Sequence, residues 1–125
     1  MSLYKISTGK KGEALALDFL KKQGYKILQK NYKTKLGEID IIGRDGPYTS
    51  FIEVKARTGK RFGLPEESVD IKKQIKLTNV ALYYIKEHAI KDTLLRFDVV
   101  SIEDVNSSSP EIKLIKNAFE VKPWR

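Results

Sequence analysis

Two short segments of alternating polar and apolar residues, joined by a tight turn, constrain the fold of this chain most strongly. The first segment, residues 37–42, has the sequence Gly-Glu-Ile-Asp-Ile-Ile, and the second, residues 49–57, ends in Phe-Ile-Glu-Val-Lys-Ala-Arg. Residues 43–47 between them contain the glycines and proline typical of a turn. The segments predict an antiparallel hairpin with Glu38 and Asp40 on one face of its first strand and isoleucines on the other.

The position of the turn predicts which charged side chains meet across the hairpin. If the chain pivots between Gly46 and Pro47, Asp40 lies opposite Glu53. A pivot one residue earlier makes the two acids diagonal neighbours, which are still within reach of each other. Lys55 shares the face of Glu53 because side chains alternate along a strand. Two carboxylates and a lysine are therefore expected on one patch of the sheet.

Such a pair of carboxylates destabilises the fold unless a cation lies between them. At ~4 Å the repulsion is roughly 4 kcal/mol at an effective dielectric of 20. The chain has no cysteine and one histidine, so the ligands on offer are oxygens, which suit Mg²⁺ or Mn²⁺ better than zinc. The backbone carbonyl of Val54 could add another oxygen ligand.

A polar, solvated sheet face explains the same alternation without any metal. The tripeptide of an acid, any residue and a lysine occurs four times in this chain, so by itself it has little value. The copy at residues 53–55 differs from the other three because an acidic strand precedes it across a tight turn.

Apolar spacing predicts two helices. The first, residues 8–24, carries Glu13 on its apolar stripe or at the edge of that stripe. The second begins near Pro65 and ends near His88. The predicted apolar faces are Ala16, Leu17 and Leu20 in the first helix, and Ile71, Ile75, Thr78, Leu82 and Ile85 in the second.

Three further strands, at residues 25–32, 94–102 and 112–115, complete the order αβββαββ. This order predicts an α/β or α+β fold with a central mixed sheet flanked by helices, and we assign the chain to the α/β class. A chain of 125 residues has room for one such domain, which we assign to residues 1–125.

Positive charge is concentrated near the amino terminus. The net charge is +8, and residues 1–35 hold nine lysines and two acids. A basic third of the chain beside an acidic segment suits a nucleic-acid partner, although a solvated lysine-rich surface gives the same count. No run of apolar residues is long enough for a signal peptide or a membrane span, which predicts a cytoplasmic protein without a membrane partner.

Several of these residues together resemble a known group of proteins. Asp40 followed by Glu53-Val-Lys55 resembles the PD-(D/E)xK signature of restriction-endonuclease-like nucleases, although Ile39 stands where the signature has proline. Over about residues 5–120 the chain more closely resembles the YraN-like family of uncharacterised bacterial proteins, which is similar to archaeal Holliday junction resolvases. The residues that carry this resemblance are Gly9, Gly12, Glu13, Ala16, Leu20, Gly24, Tyr25, Asn31, Gly37–Asp40, Phe51–Arg57, Phe62, Gly63, Lys72 and Arg96–Asp98.

The resemblance implies a restriction-endonuclease-like fold and a catalytic site of Glu13, Asp40, Glu53 and Lys55. Of these, Glu13, Asp40 and Glu53 would hold Mg²⁺ or Mn²⁺. The implied activity is that of an endonuclease that hydrolyses phosphodiester bonds of nucleic acid, with DNA favoured and branched DNA one candidate substrate. A homodimer would suit symmetric cutting of two strands.

Basic residues outside this site are expected to contact the nucleic-acid backbone, and they are Lys10, Lys11, Arg57, Lys60 and Arg61. Arg57 could equally form a structural salt bridge. Lys72 and Gln74 are candidate auxiliary site residues, but an exposed polar helix face is the simpler interpretation of both. Asp98 is expected to form an ion pair with Arg96, although it could instead support the site from a neighbouring strand.

Two other classes of function stay open. A non-catalytic nucleic-acid-binding module of the same fold would keep the basic residues without needing a metal. A structural or interaction protein could use Tyr83, Tyr84 and Trp124 as contacts, although aromatic residues at helical spacing more often belong to a core.

Overall fold

Seven elements follow one another in the predicted order αβββαββ. The computed structural model describes residues 8–60 and 69–120. The elements are α1 (Thr8–Lys22), β1 (Lys26–Thr34), β2 (Gly37–Asp45), β3 (Tyr48–Ala56), α2 (Ile71–Glu87), β4 (Leu94–Glu103) and β5 (Glu111–Phe119). Neither described helix, of 15 and 17 residues, is long and apolar enough to cross a membrane.

The five strands form one mixed sheet in the order β1-β2-β3-β4-β5. Strands β3 and β4 are parallel, and the other three neighbouring pairs are antiparallel. A parallel pair needs a long crossover connection, which here contains α2. The predicted α/β class with a central mixed sheet is confirmed, and the element order fits the restriction-endonuclease-like fold.

The turn between β2 and β3 has the predicted register. Asp45 pairs with Tyr48 and Ile41 pairs with Ile52, so the hairpin pivots between Gly46 and Pro47. Gly46 has a φ of 59°, a left-handed conformation that glycine adopts without a steric cost. Of the two registers considered, the one with Asp40 level with Glu53 is therefore the one that forms.

Apolar side chains are buried on both faces of the sheet, and each helix covers one face. Alternation along β3 sends Phe51 to the α2 side and Ile52 to the α1 side. The buried residues on the α1 side are Ala16, Leu20, Tyr25, Ile41, Ile52, Val100, Ile102 and Val105. Those on the α2 side are Tyr32, Ile39, Ile42, Phe51, Val69, Leu77, Val80, Ala81, Tyr84, Phe97 and Val99.

The predicted buried face of α2 is largely wrong. Ile71, Ile75 and Leu82 are exposed, whereas the buried residues of α2 are Leu77, Thr78, Val80, Ala81 and Tyr84. Thr78 was on the predicted face, and Ile85 packs partly against the core. Aromatic packing explains the rotation of the helix, because the Tyr84 ring lies edge-on to Phe51 and Tyr32 at centroid distances of 5.9 and 5.1 Å.

The first turn of α2 is fixed by a side-chain cap. Asp70 is the N-cap residue, and its Oδ1 accepts a hydrogen bond from the Lys73 N–H at 2.8 Å. The helix therefore begins at Ile71 and not near Pro65 as predicted, because Asp70 has an extended backbone. Pro65 itself lies outside the described residues, as do Arg61, Phe62, Gly63 and Trp124. The Asp70 cap matters for the site because it holds the backbone of Lys73 in place.

Candidate active site

Strands β2 and β3 stop pairing where the two acids face each other. Within the described residues, Ile41 and Ile52 are the last pair of this ladder. Beyond them, the Val54 N–H donates to Asp40 Oδ2 at 2.8 Å. The Asp40 side chain therefore takes a hydrogen bond from β3 where regular backbone pairing has ended, and this contact holds its carboxylate against β3.

The other neighbour of Asp40, strand β1, is also irregular at this level. Asn31 lies between the pairs Lys30–Ile41 and Tyr32–Ile39, and it has a φ of 49°. Ile39 belongs to the α2-side core and Ile41 to the α1-side core. The prediction that these two isoleucines share one face is therefore wrong, because the strict alternation of β2 breaks at Asp40.

Asp40 and Glu53 form a close pair of acids on the α2 side of the sheet. Burial raises the pKa of Asp40 to about 7, and a hydrogen bond with the Glu53 carboxyl and the charge of Glu53 add to this effect. The Val54 N–H and the Lys73 ammonium oppose the rise only in part. The structure therefore brings together the two carboxylates that the sequence pairs, and they repel each other as predicted.

One oxygen of this pair lacks a hydrogen bond. Glu53 Oε2 is buried and receives no hydrogen bond of good geometry from the described residues. Lys73 Nζ lies 3.1 Å from it as an ion pair, with 41% of the lysine side chain and 12% of the glutamate side chain exposed. Burial by itself would lower the pKa of Lys73, but the Glu53 carboxylate raises it above its usual value, so this ammonium is charged.

Lys73 is a site residue that the sequence analysis missed, since it named the adjacent Lys72 instead. Lys73 precedes Leu77 by four residues and Val80 by seven, so it lies on the stripe of α2 that faces the sheet. The misassigned face of α2 concealed this. A correct assignment of Leu77, Val80 and Tyr84 to the core would have pointed to Lys73.

Lys55 joins the pair as predicted from alternation along β3. Burial lowers the pKa of its ammonium; the Glu53 carboxylate opposes this shift, and the Lys73 ammonium reinforces it. A lysine with a lowered pKa gives up its proton more readily than an exposed one. Lys55 is therefore the residue of this group best suited to accept a proton.

Glu13 reaches this region from the opposite side of the sheet. The amino-terminal part of α1 packs directly on β3. The two elements approach so closely that a Cβ on Gly12 would collide with the Cβ of Ala56. Glu13 Oε1 accepts a hydrogen bond from Asn31 Nδ2 at 2.8 Å. Asn31, which lies beside Asp40 on the neighbouring strand, thus connects Glu13 to the site. Asn31 is one of the residues that carry the family resemblance, but no role was predicted for it.

The donor set fits a hard divalent cation with few protein ligands. Within residues 8–60 and 69–120, no three Asp, Glu or His side chains lie close enough together to hold one ion, so the structure does not gather Glu13, Asp40 and Glu53 around a common point. Mg²⁺ is commonly bound by one or two carboxylates, with waters and substrate phosphates completing its shell. Asp40 and Glu53 match that requirement, because their carboxylates repel each other and Glu53 Oε2 receives no hydrogen bond of good geometry from the described residues.

Basic residues surround the carboxyl-terminal end of β3. Lys11 Nζ donates to Asn106 Oδ1 at 3.2 Å, and the Arg57 N–H donates to the Ile102 carbonyl at 2.9 Å. Lys10 and Lys60 are exposed near the same end, while the predicted Arg61 lies outside the described residues.

A second basic group lies on α2. Lys72, Lys73 and Lys76 line a cavity of about 520 Å³ together with Asp70. Gln74, the other predicted auxiliary residue, donates through Nε2 to the Val69 carbonyl at 2.8 Å, which is a structural contact. The cavity adjoins the carboxylate pair because Lys73 contributes to both.

A separate buried acid on the sheet is fully satisfied. Asp98 accepts hydrogen bonds from both Nε and an Nη of Arg96 at 2.9 Å, which confirms the expected ion pair. Burial would raise the pKa of Asp98, but hydrogen bonds from Arg96, Ser50, the Asn117 N–H and Tyr25 lower it below its usual value. This cluster has no capacity left for a ligand, and its role is structural.

A larger cavity, of about 770 Å³, lies between β1 and the second half of α2. Among its described lining residues Glu87 is the one acid, and it accepts a hydrogen bond from the Tyr32 hydroxyl at 2.7 Å. A single carboxylate with a partner does not offer the chemistry of the Asp40 and Glu53 pair.

Comparison with known sequences gives a consistent set of relatives. The profile of the uncharacterised protein family UPF0102 matches residues 12–102. A UPF0102 protein of Thermodesulfovibrio yellowstonii is 50% identical over 115 residues, which is 92% of this chain and 97% of the relative. Similar proteins of Caldicellulosiruptor saccharolyticus and Clostridium kluyveri are 44% identical over 116 residues and 42% identical over 122 residues, and the matched regions cover 98% and 100% of those relatives.

Proposed function

The chain belongs to the uncharacterised protein family UPF0102, and we propose that it is a metal-dependent nuclease that hydrolyses phosphodiester bonds of nucleic acid. One observation carries the proposal: the Asp40 and Glu53 carboxylates share a partly buried place, where the pKa of Asp40 is raised to about 7 and Glu53 Oε2, 3.1 Å from Lys73 Nζ, receives no hydrogen bond of good geometry from the described residues. A structural acid pair would instead be saturated with donors, as Asp98 is.

In this proposal Asp40 and Glu53 hold Mg²⁺ or Mn²⁺, and Glu13 completes the ligand shell through water. The bound ion would lower the pKa of a water molecule and neutralise charge on the phosphate. The role of Glu13 depends on Asn31, whose amide orients the carboxylate. Asp40 in turn is oriented by the Val54 N–H, so both acids keep their positions when the cation is absent.

Lys55 acts as the proton acceptor. Its Nζ takes the proton of the attacking water in the neutral amine form, which its lowered pKa makes accessible. The water oxygen bonds to phosphorus, the bond from phosphorus to the leaving oxygen breaks, and that oxygen is protonated from solvent. Lys73 is less suited to this step, because the structure shows no lowering of its pKa: the contact with Glu53 raises it.

The basic residues on both sides of the site bind the phosphate backbone. Lys72 and Lys76 line the cavity beside the carboxylates, and the other contacts are made by Lys10, Lys11, Arg57, Lys60 and Arg61. The net charge of +8 favours association with a polyanion. We expect DNA as the substrate, the cytoplasm as the place of action, and a homodimer when two strands are cut.

The test is a cleavage assay on labelled duplex, single-stranded, flapped and four-way DNA and on RNA, with Mg²⁺, Mn²⁺ or a chelator. We expect metal-dependent cleavage that falls roughly a thousandfold in Glu53→Gln and in Lys55→Ala. The matched controls are Glu111→Gln and Lys113→Ala, which alter an identically spaced acid and lysine on the exposed part of β5. They should cut like the unaltered protein.

Each outcome of this assay has one meaning. Equal cleavage by the site variants and the controls would reject the site. Absence of cleavage by the unaltered protein, together with tight, salt-sensitive binding of nucleic acid, would support the non-catalytic binding module instead.

A further inference from the structure

We infer that Lys73 is an internal counter-ion that neutralises the carboxylate pair until a divalent cation displaces it, and that the released ammonium then binds substrate phosphate. The inference rests on the proposed function and assigns a role to a residue outside the predicted site. It makes metal loading and nucleic-acid binding two coupled events.

The contact between Lys73 and Glu53 has the features of a temporary counter-ion. Lys73 Nζ lies 3.1 Å from Glu53 Oε2, the oxygen that receives no hydrogen bond of good geometry within the described residues. The ammonium also lies close enough to Asp40 to lower the pKa of that acid. The Lys55 ammonium also lies near both acids, but Lys73 is the one in direct ion-pair contact with Glu53.

Displacement of Lys73 requires movement of its side chain alone. Its backbone N–H is held by the Asp70 cap at 2.8 Å, so the helix keeps its place when the ammonium leaves. The lysine side chain is 41% exposed, whereas the glutamate side chain is 12% exposed. The flexible partner is therefore the one that faces solvent, and it can turn outward by rotation of its four-carbon stem.

The cavity next to the ion pair is the place to which the ammonium turns. Lys72 and Lys76 already line this space of about 520 Å³ with Lys73. When Lys73 leaves Glu53, its charge is no longer offset by that carboxylate and acts on this volume together with those of Lys72 and Lys76, beside the Asp70 carboxylate. Phosphate affinity should therefore rise when the carboxylates take up a cation, and bound phosphate should in turn raise cation affinity by the same factor.

The test measures Mn²⁺ affinity by isothermal titration calorimetry at about pH 8. The variants are Lys73→Met, which removes the counter-ion, and Lys73→Arg, which holds Glu53 more firmly through a forked cation. Lys72→Met, on the adjacent exposed residue of the same cavity, is the matched control. Circular dichroism checks that each variant is folded.

We expect Lys73→Met to bind Mn²⁺ about tenfold more tightly than the unaltered protein, because a charge that competes for Glu53 is gone. Lys73→Arg should bind it more weakly, and Lys72→Met should change affinity less than twofold. The arginine variant keeps the charge and so retains a usable result if the methionine variant does not fold.

The failures of the two proposals are distinguishable. Mn²⁺ binding that is unchanged or weaker in Lys73→Met than in the unaltered protein would overturn the inference and leave the nuclease proposal standing. Absence of Mn²⁺ binding by the unaltered protein and every variant would overturn both.

A second readout follows the released ammonium. Fluorescence anisotropy with a labelled DNA strand, in Ca²⁺ or in chelator, measures how much the cation strengthens DNA binding without cleavage. The gain should be several-fold in the unaltered protein and in Lys72→Met, and much smaller in Lys73→Met. Equal gains in all three proteins would contradict the inference.

Discussion

In the part of the chain that the structure describes, the sheet carries a buried acid, Asp98, on one face and a partly buried pair, Asp40 and Glu53, on the other, and they differ in the number of donors aimed at them. Asp98, on the α1 side, is 1% exposed, yet its pKa is lowered. Asp40, on the α2 side, is less buried, yet its pKa is raised to about 7. The supply of hydrogen bonds, and not the depth of burial, therefore decides which carboxylate stays charged.

Asp98 and Asp40 differ in which hydrogen-bond donors contact them. Asp98 receives hydrogen bonds from the Tyr25 hydroxyl, the Ser50 hydroxyl, the Arg96 guanidinium and the Asn117 N–H. Asp40 receives one from the Val54 N–H and has an acid as its neighbour. A saturated acid stabilises the fold, while an undersupplied pair keeps the capacity to bind a cation.

The largest expected effect comes from breaking the saturated group with Asp98→Asn. We expect a loss of about 3 kcal/mol in the free energy of unfolding, because the buried Arg96 guanidinium loses a charged partner. Urea denaturation measures the loss. The control is Asp18→Asn at an exposed ion pair with Lys22, which should cost less than about 0.5 kcal/mol. A loss below about 1 kcal/mol for Asp98→Asn would show that the donors do not stabilise this acid as argued.

Asp40→Asn, in the undersupplied pair, is expected to raise the free energy of unfolding, whereas Asp98→Asn lowers it. Since the pKa of Asp40 is raised from 3.8 to about 7, its stabilising contribution is complete below about pH 4 and is lost as the pH rises through 7. With chelator at about pH 8, the amide should therefore stabilise the fold by about 1–2 kcal/mol.

Thermal melts from pH 4 to pH 8 in chelator measure this difference between Asp40→Asn and the unaltered protein. The two proteins should be similar near pH 4 and diverge as the pH approaches 7. Mg²⁺ should then raise the melting temperature of the unaltered protein only. Destabilisation of the variant at about pH 8 would mean that the two acids do not repel each other.

A third effect, of about the same size as that of Asp40→Asn, tests Asn31, which lies beside the undersupplied pair. Asn31→Ala should cost about 1–2 kcal/mol, because alanine at a φ of 49° is strained and Glu13 loses its hydrogen bond. Asn31→Gly should cost about 1 kcal/mol or less, since glycine relieves the backbone. Urea denaturation of the two variants separates the hydrogen bond from the backbone strain, and equal costs would show that the conformation of Asn31 has no influence.

The hairpin and its acids were predictable from the sequence. Alternation located β2 and β3, and the turn at Gly46 determined their register, so the approach of Asp40 to Glu53 followed from local spacing. The pairing of Asp98 with Arg96 followed from their positions on one face of a strand. These features depend on interactions between residues close in the chain or directly across a turn.

The rotation of α2 was not predictable in the same way. The helix carries apolar residues on more than one side, and the choice of Leu77 and Tyr84 over Ile71 and Leu82 depends on the fit of Tyr84 against Phe51 and Tyr32. That error in the predicted face left Lys73 without a role, whereas Lys72 was named because it carries the resemblance and lies early in the helix.

The amino-acid sequence by itself determined the element order, the register of the β2–β3 hairpin and the meeting of Asp40 with Glu53, because a period of two and a tight turn act over short distances along the chain. Only the tertiary structure decided that Lys73 pairs with Glu53, that Asn31 holds Glu13, and that Asp98 is saturated while Asp40 is not. These outcomes depend on contacts between residues far apart in the chain, whose energies are set by how the helices pack on the sheet and by which donors that packing brings to each buried charge.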